Sequence, residues 1–261
     1  MVRAPSWRLA LTEIPRALVD RGTLTQSRRI LATAPRGDGH PVLVLPGFIA
    51  GDGSTTTLRR YLASLGHDAR AWGLGRNLGP RSIGTDGEIL VERLRLIHER
   101  TGRKVSLVGW SLGGVMARIV ASRAPDTVRQ VVTLGSPFGG SPRATNVWRA
   151  YELLTGHRVG GYDTRSQLAE ASAPLPMPTT AIYSRQDGIV AWQLCRETGH
   201  DRRENIEVGG SHLGLAINPA ALYAIADRLA QSEGDWHRFD PVRAPLAYPA
   251  ASTVDPRALL S

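Results

Sequence analysis

The chain has 261 residues, of which 42% are hydrophobic and 21% are charged, a balance typical of a globular protein with a sizeable core. Its formal net charge is +9, but the basic residues are scattered arginines with a single lysine, Lys104, which argues against nucleic-acid binding. Cys195 is the only cysteine, which excludes an internal disulfide, a zinc site built on two or more cysteines and a CxxC redox pair.

Residues 1–38 are predicted to be a basic lead-in segment that ends at turn signals such as Pro35 and Gly37. Charged residues interrupt what would be the apolar region of a signal peptide, so no secretory signal is predicted. A single cysteine is compatible with a reducing compartment. Together these features favour a cytoplasmic location.

Strands and helices are predicted to alternate from residue 39 onward. The apolar run Pro41–Leu45 stops at Pro46-Gly47 and is typical of a buried strand in a parallel sheet. A helix should follow, capped by Asp52 or Ser54. The next predicted elements are a strand over 67–72, a helix over 86–101, a strand over 105–108, a helix through 115–120 and a strand over 128–134.

Residues 141–176 interrupt this alternation and are predicted to form a cap insertion. The later elements are a strand over 179–183, a helix near 189–195, a strand over 205–208 and a helix over 219–229. The longest uncharged run, 208–226, contains glycine, asparagine and proline, so no membrane span is predicted. The pattern predicts an α/β fold in which a mostly parallel sheet carries helices on both faces, with one domain over 39–233 and an extended tail over 234–261.

The strongest chemical signal is Gly-Trp-Ser-Leu-Gly at 109–113, between a predicted strand and a predicted helix. A sharp strand-to-helix turn needs small residues on both sides of a nucleophile, and it lifts the hydroxyl of Ser111 above the sheet edge. The helix N-terminus beneath the serine favours a developing anion. We therefore predict that Ser111 is a nucleophile.

A serine nucleophile needs a base and an acid that orients the base. His212 follows a predicted strand directly, whereas the other six histidines precede strands or lie in a helix, the cap, a loop or the tail. Asp187 also follows a strand, so all three residues are expected at the edge where the parallel strands end, and they come in the chain order Ser, Asp, His. Asp163 and Asp201 are the substitutes for the acid.

An acyl-transfer site also needs N–H donors for the oxyanion of its tetrahedral intermediate. One donor should be the backbone N–H of Leu112 at the start of the helix. The other should be the N–H of Phe48, since Gly47 permits close approach of the loop after the first strand. The side chain of Phe48 would then line the acyl pocket.

A rival interpretation is nucleotide binding by the glycine-rich stretch at 73–79, which contains Arg76. Pro80 removes one N–H donor, and no acidic residue follows at the end of a nearby strand to bind a ribose. HExxH and GxxxxGK[ST] are both absent from the sequence, so neither a zinc protease nor a P-loop protein is predicted. No metal and no cofactor is expected.

Five segments together resemble the α/β-hydrolase superfamily, most of all its bacterial esterase and lipase branch: LPGF, GWSLGG, TLGSPFGGS, YSRQDGIV and GGSHLGL. The resemblance covers about residues 40–230. It implies that Ser111 is the nucleophile, Asp187 the acid and His212 the base. It also implies that Phe48 and Leu112 form the oxyanion hole.

Two positions depart from the pattern common in lipases and are predicted to shape the substrate pocket. Phe138 stands where histidine is common, and Trp110 stands where many lipases carry histidine before the nucleophile. The cap should add Trp148 to the same pocket, together with the apolar side chains of Tyr151, Leu153 and Leu154. An apolar acyl group is therefore expected.

The sequence predicts a cofactor-independent hydrolase that cleaves small-molecule carboxylic esters through an acyl-enzyme. A variant of this hypothesis uses the same three residues for acyl transfer or for hydrolysis of a carrier-bound thioester, and the charge of +9 would suit an acidic carrier protein. The alternative from another class is a non-catalytic binding protein on the same scaffold.

Overall fold

The computed structural model describes residues 2–249, apart from residues 157, 160 and 200 and the side chain of Asp163. Of the tail expected over 234–261, residues 250–261 lie outside the described residues. The strands are β1 (Pro41–Leu45), β2 (Asp68–Ala71), β3 (Val105–Trp110), β4 (Val128–Leu134), β5 (Thr179–Tyr183) and β6 (Arg203–Glu207). They form one six-stranded sheet in the order β2-β1-β3-β4-β5-β6, and every neighbouring pair is parallel.

Ten helices accompany this sheet in the described part of the chain. They are α1 (Trp7–Leu11), α2 (Glu13–Gln26), α3 (Arg28–Leu31), α4 (Thr56–Ser64), α5 (Pro80–Ile83), α6 (Glu88–Thr101), α7 (Leu112–Arg123), α8 (Trp148–Thr155), α9 (Tyr162–Ser172) and α10 (Pro219–Ala230). None of these described helices is both long enough and apolar enough to cross a membrane.

Helices cover both faces of the sheet because successive strand residues point to opposite sides. In β1, Leu43 and Leu45 pack in one core with α6 and α7. Val42 and Val44 pack in the other core with α4 and α10. The predicted α/β class, with a parallel sheet between two helical layers, is confirmed.

Two predictions of local structure were wrong. Neither Asp52 nor Ser54 caps α4, because a 3-10 turn over Asp52–Thr55 precedes it and the Asp52 carboxylate accepts hydrogen bonds from the N–H groups of Trp72 and Gly73 instead. The helix expected near 189–195 is only a 3-10 turn over Trp192–Cys195.

A hydrogen-bonded line of three polar side chains lies at the end of the sheet where the strands begin. The Asp38 carboxylate lies 2.5 Å from Nδ1 of His40, and Nε2 of His40 lies 2.8 Å from Oγ of Ser106. His40 and Ser106 have no exposed surface. His67 packs edge-on against His40, so both histidines lie at the edge opposite to the predicted site, as their positions before strands indicated.

Candidate active site

Ser111 occupies the sharp turn between β3 and α7, where its backbone has φ 55° and ψ −123°. Residues other than glycine rarely adopt this backbone conformation, and such strain concentrates at functional sites. The flanking glycines have no room for a Cβ atom. At Gly109 it would lie 2.4 Å from Cα of Gly114, and at Gly113 it would lie 2.5 Å from the carbonyl oxygen of Leu45.

The three residues predicted to cooperate lie in one hydrogen-bonded line. Oγ of Ser111 is 3.0 Å from Nε2 of His212, and Nδ1 of His212 is 2.6 Å from Oδ2 of Asp187. Of the two substitutes for the acid, Asp201 is exposed at the surface, and the side chain of Asp163 lies outside the described residues.

Asp187 and His212 are both buried and held by hydrogen bonds from neighbouring groups. Oδ1 of Asp187 accepts hydrogen bonds from the N–H groups of Ile189 and Val190, at 2.8 and 2.7 Å, which leaves Oδ2 for His212. The carbonyl oxygen of His212 accepts a hydrogen bond from Nε1 of Trp110 at 3.1 Å. These contacts restrict how far either side chain can rotate.

Glu13 of α2 joins the loop that carries Asp187 to the loop that carries His212. Its carboxylate is 2% exposed and accepts hydrogen bonds from the N–H groups of Gly188, His212 and Leu213, at 2.7, 3.1 and 3.0 Å. Hydrogen bonds to a charged acceptor are stronger than neutral ones. The lead-in segment is thus part of the framework of the site.

Asp20, two turns further along α2, holds the histidine loop from a second point. Its carboxylate accepts hydrogen bonds from the N–H and the hydroxyl of Ser211, at 3.2 and 2.9 Å, and from Nδ2 of Asn218 at 3.2 Å. Sequence analysis did not identify Glu13 or Asp20. In the sequence they form only a pair of carboxylates seven residues apart on one helix face, a pattern that ordinarily indicates a solvated surface.

The loop after β1 carries Phe48, the predicted second oxyanion donor. Within the described part of the chain, the N–H groups of Phe48 and Leu112 donate no hydrogen bond to the protein. Buried Asn77 pins this loop: it exchanges backbone hydrogen bonds with Ile49 and Ala50, at 2.7 and 2.8 Å, and its Nδ2 donates to the carbonyl oxygen of Pro46 at 2.7 Å. Asn77 was also missed from sequence.

The glycine-rich stretch at 73–79 therefore supports a neighbouring loop. The N–H of Gly73 already donates to the Asp52 carboxylate, a negative charge that would repel a phosphate. Nε1 of Trp72 donates to the carbonyl oxygen of Gly75. These contacts argue against the nucleotide-binding alternative.

The electrostatics of the site favour a positive charge on His212 more than solvent does. Burial lowers the pKa of His212, but the hydrogen-bonded Asp187 carboxylate and the nearby Glu13 carboxylate raise it by more, to above the ordinary 6.5. An imidazole with this environment can hold a proton taken from Ser111. Among the described residues, no group of three or more His, Cys, Asp or Glu side chains could hold a metal ion.

An apolar cavity of about 110 Å³ opens at Ser111. Its apolar lining includes Phe48, Leu112, Val115, Val147, Trp148 and Tyr151. A smaller cavity of about 30 Å³ shares Leu112, Val115 and Tyr151 with it. The larger cavity places hydrophobic surface beside the serine hydroxyl, as an acyl group would require.

Several side chains expected in the pocket lie elsewhere. Trp110 packs against the ring of His212 on the other face of the sheet, and Phe138 is buried beneath the guanidinium of Arg118. Leu153 and Leu154 face away from the cavity because Trp148 and Tyr151 occupy the inner side of α8, and Leu153 is 84% exposed. Of the side chains predicted to line the pocket, those of Phe48, Trp148 and Tyr151 do so.

Replacing Gly113 with alanine is expected to lower the free energy of unfolding by about 1–3 kcal/mol or more. The new Cβ would lie 2.5 Å from a backbone oxygen of β1, so strand or helix must shift. Chemical denaturation of the two proteins measures this change.

Gly22→Ala is the matched control, because nothing lies within 4 Å of a Cβ there and the residue is inside α2. Alanine is the better helix former, so this variant should be more stable by about 0.5–1 kcal/mol. A Gly113→Ala protein as stable as the unaltered chain would contradict the close packing at the turn.

Glu13→Gln is expected to shift the acid limb of the pH profile of kcat/KM to lower pH. Loss of the negative charge lowers the pKa of His212, whose neutral form must accept the proton, so activity persists further into acid. The amide also presents a donor to one backbone N–H, which loosens the two loops and lowers kcat. Initial rates on a soluble ester across the pH range test both effects.

Glu170→Gln provides the control for this variant, because Glu170 pairs with Arg123 and does not contact either loop. It should leave the acid limb in place. An unchanged acid limb in Glu13→Gln would show that the Glu13 charge does not act on His212.

Comparisons with known proteins agree with the fold. A family model described as the alpha/beta hydrolase fold matches residues 41–155. A triacylglycerol lipase of Pseudarthrobacter phenanthrenivorans is 32% identical, over 52% of this chain and 49% of that protein. One of Burkholderia plantarii is also 32% identical, over 52% of this chain and 44% of the other. The chain thus spans about half the length of these curated relatives.

Solved structures share the fold at lower identity. Lipase B of Aspergillus fumigatus superposes with a TM-score of 0.61 and 19% identity, covering 84% of this chain and 60% of that one. A monoacylglycerol lipase of Paleococcus ferrophilus superposes with a TM-score of 0.54 and 16% identity, covering 74% of this chain and 96% of that one. At these identities the likeness concerns the fold alone.

Proposed function

The chain belongs to the α/β-hydrolase superfamily, and from the hydrogen-bonded line Ser111–His212–Asp187 beside an apolar cavity we propose that it is a serine hydrolase of carboxylic esters. That line is the observation that carries the proposal. The fold by itself does not fix a function. The names of the relatives, triacylglycerol lipases, support the same class of substrate.

In the first half of the proposed reaction, Oγ of Ser111 attacks the carbonyl carbon of the ester while Nε2 of His212 takes its proton. The Asp187 carboxylate holds the imidazole in place and stabilises the imidazolium. The carbonyl oxygen becomes an oxyanion, which the N–H groups of Phe48 and Leu112 bind. When the C–O bond to the alcohol breaks, His212 gives the proton to the leaving oxygen, and the acyl group stays on Ser111.

In the second half, water attacks the acyl-enzyme. His212 takes a proton from the water, a second tetrahedral intermediate forms, and the proton passes to Oγ of Ser111 as the carboxylic acid leaves. Atoms balance without a cofactor: one ester and one water give one acid and one alcohol. The apolar cavity would hold the acyl chain during both halves.

Intact mass after incubation with a fluorophosphonate tests the proposal. Because the reagent reacts with an activated serine, we expect one adduct on the unaltered protein and none on Ser111→Ala. The same two proteins are then assayed with p-nitrophenyl esters of increasing acyl length and with an acyl thioester. Failure of the folded, unaltered protein to form an adduct would contradict the proposal and favour a binding protein on this scaffold.

A further inference from the structure

The N-terminal helices turn apolar side chains toward solvent and carboxylates toward the protein, the reverse of an ordinary surface helix. Glu13 and Asp20 are buried, at 2% and 7% exposure. Five large apolar side chains of α1 and α2 are at least 65% exposed: Trp7, Leu11, Ile14, Leu18 and Val19. We call these five the N-terminal apolar face. Scattered exposed leucines need no explanation, but a cluster of this kind marks an interaction surface.

The exposed charges of the N-terminal segment, residues 2–36, all have one sign. Within residues 2–36 the only acidic residues are Glu13 and Asp20. Both accept hydrogen bonds from N–H and hydroxyl groups of the loops that carry Asp187 and His212. The exposed charged residues of this segment are Arg3, Arg8, Arg21, Arg28, Arg29 and Arg36. In the described part of the chain, none of these six forms an ion pair with a carboxylate.

We propose that the N-terminal apolar face and its arginines bind the surface of an anionic lipid bilayer. Apolar side chains, including a tryptophan, would enter the boundary between headgroups and acyl chains, and arginine side chains can extend to lipid phosphates. A second copy of the chain is a poorer occupant. A symmetric contact through this face would bring two sets of unpaired arginines together.

The position of the face relates this surface to the candidate active site. The carbonyl oxygen of Pro5, just before α1, accepts a hydrogen bond from Nδ2 of Asn146 at 3.2 Å. The neighbours of Asn146 in sequence, Thr145 and Val147, both line the apolar cavity. Docking through α1 and α2 would therefore hold the edge of the cavity near the lipid surface.

Sedimentation with vesicles tests the proposal on the full chain carrying Ser111→Ala, so that binding is measured without hydrolysis. The vesicles contain either phosphatidylcholine alone or phosphatidylcholine mixed with anionic phosphatidylglycerol. We expect binding to the anionic vesicles that weakens as salt is added. Failure of ester hydrolysis would not affect this readout, so it is distinguishable from failure of the docking proposal.

Two sets of substitutions locate the binding surface. Leu11→Ser with Leu18→Ser should weaken binding to anionic vesicles by at least about tenfold per side chain. Arg21→Gln, Arg28→Gln and Arg29→Gln combined should weaken it by roughly a hundredfold, with less effect at high salt. All of these side chains are exposed, so the thermal unfolding midpoint should stay unchanged.

Matched controls carry the same changes on α6 and α4, away from the N-terminal apolar face. They are Ile89→Ser with Leu96→Ser, and Arg60→Gln, Arg95→Gln and Arg100→Gln combined. These should bind vesicles as the parent does. The proposal is overturned if the parent binds neither vesicle type. It is equally overturned if the variants of the N-terminal segment bind anionic vesicles as well as the control variants do. It is also overturned if light scattering without vesicles shows a dimer that Leu11→Ser with Leu18→Ser dissociates.

Discussion

Replacing Ser111 with alanine is expected to reduce kcat for a short-chain ester by about a millionfold, as loss of the nucleophile does in a known serine protease. The methyl group cannot form the acyl-enzyme, and no other described hydroxyl is hydrogen-bonded to His212. Removing a single oxygen leaves the packing around the turn intact. Rates on p-nitrophenyl acetate, measured with enough protein to detect slow turnover, test the prediction.

The control is Ser64→Ala, at an exposed serine on α4 that hydrogen-bonds only to a backbone carbonyl of its own helix. Its kcat should match that of the unaltered protein. If Ser111→Ala kept more than about a hundredth of the activity, a different group would have to carry the chemistry, since the remaining donors and the cavity supply only part of the rate.

Asp187→Asn is expected to lower kcat by about ten-thousandfold while leaving the fold in place. The asparagine oxygen can still accept hydrogen bonds from Ile189 and Val190, so the loop keeps its shape. Its NH₂ then faces Nδ1 of His212, which must become an acceptor and carry the proton on Nε2 instead. A protonated Nε2 cannot take the proton of the serine.

The same substitution removes the charge that raises the pKa of His212, so the acid limb of the remaining activity should move to lower pH. Asp201→Asn is the matched control at an exposed aspartate and should change neither kcat nor the profile. Equal activity of Asp187→Asn and the unaltered protein would exclude Asp187 as the orienting acid.

Local patterns predicted the parts of this molecule that local physics determines. The apolar runs identified the buried strands, and because parallel strands end at one sheet edge, Ser111, Asp187 and His212 were expected together. The glycines at 109 and 113 indicated the sharp turn from the sequence alone. In each case the required information lies within a few residues of the position concerned.

Long-range contacts were not predictable in this way. Glu13 contacts His212 across 199 residues, and nothing in its neighbourhood distinguishes it from a surface glutamate. The rotation of α8 about its axis decides that Tyr151 lines the cavity while Leu153 faces solvent. A run of apolar residues in the sequence does not indicate which side of the helix faces the cavity. Trp110 likewise contacts the ring of His212 from the opposite face of the sheet, because successive strand residues point in alternate directions.

The line Asp38–His40–Ser106 has the same side-chain types and the same order of contacts as the candidate active site, but Asp38 is exposed and its charged partners differ. The Asp38 carboxylate also pairs with Arg103 and Arg129. Burial lowers the pKa of His40, and although Asp38 opposes this, the positive charge of Arg129 offsets part of its effect, so the value falls below 6.5.

The two histidines that contact aspartates therefore differ in the direction of their pKa shift: the pKa of His212 lies above that of a free imidazole and the pKa of His40 lies below it. In a proton NMR titration the resonances of these rings would separate, since one ring becomes charged at a pH where the other is still neutral. A spectroscopist could thereby assign the two pairs without a substitution. The displacement of His212 would then report whether a bound inhibitor disturbs its contact with Asp187, while His40 serves as an internal reference.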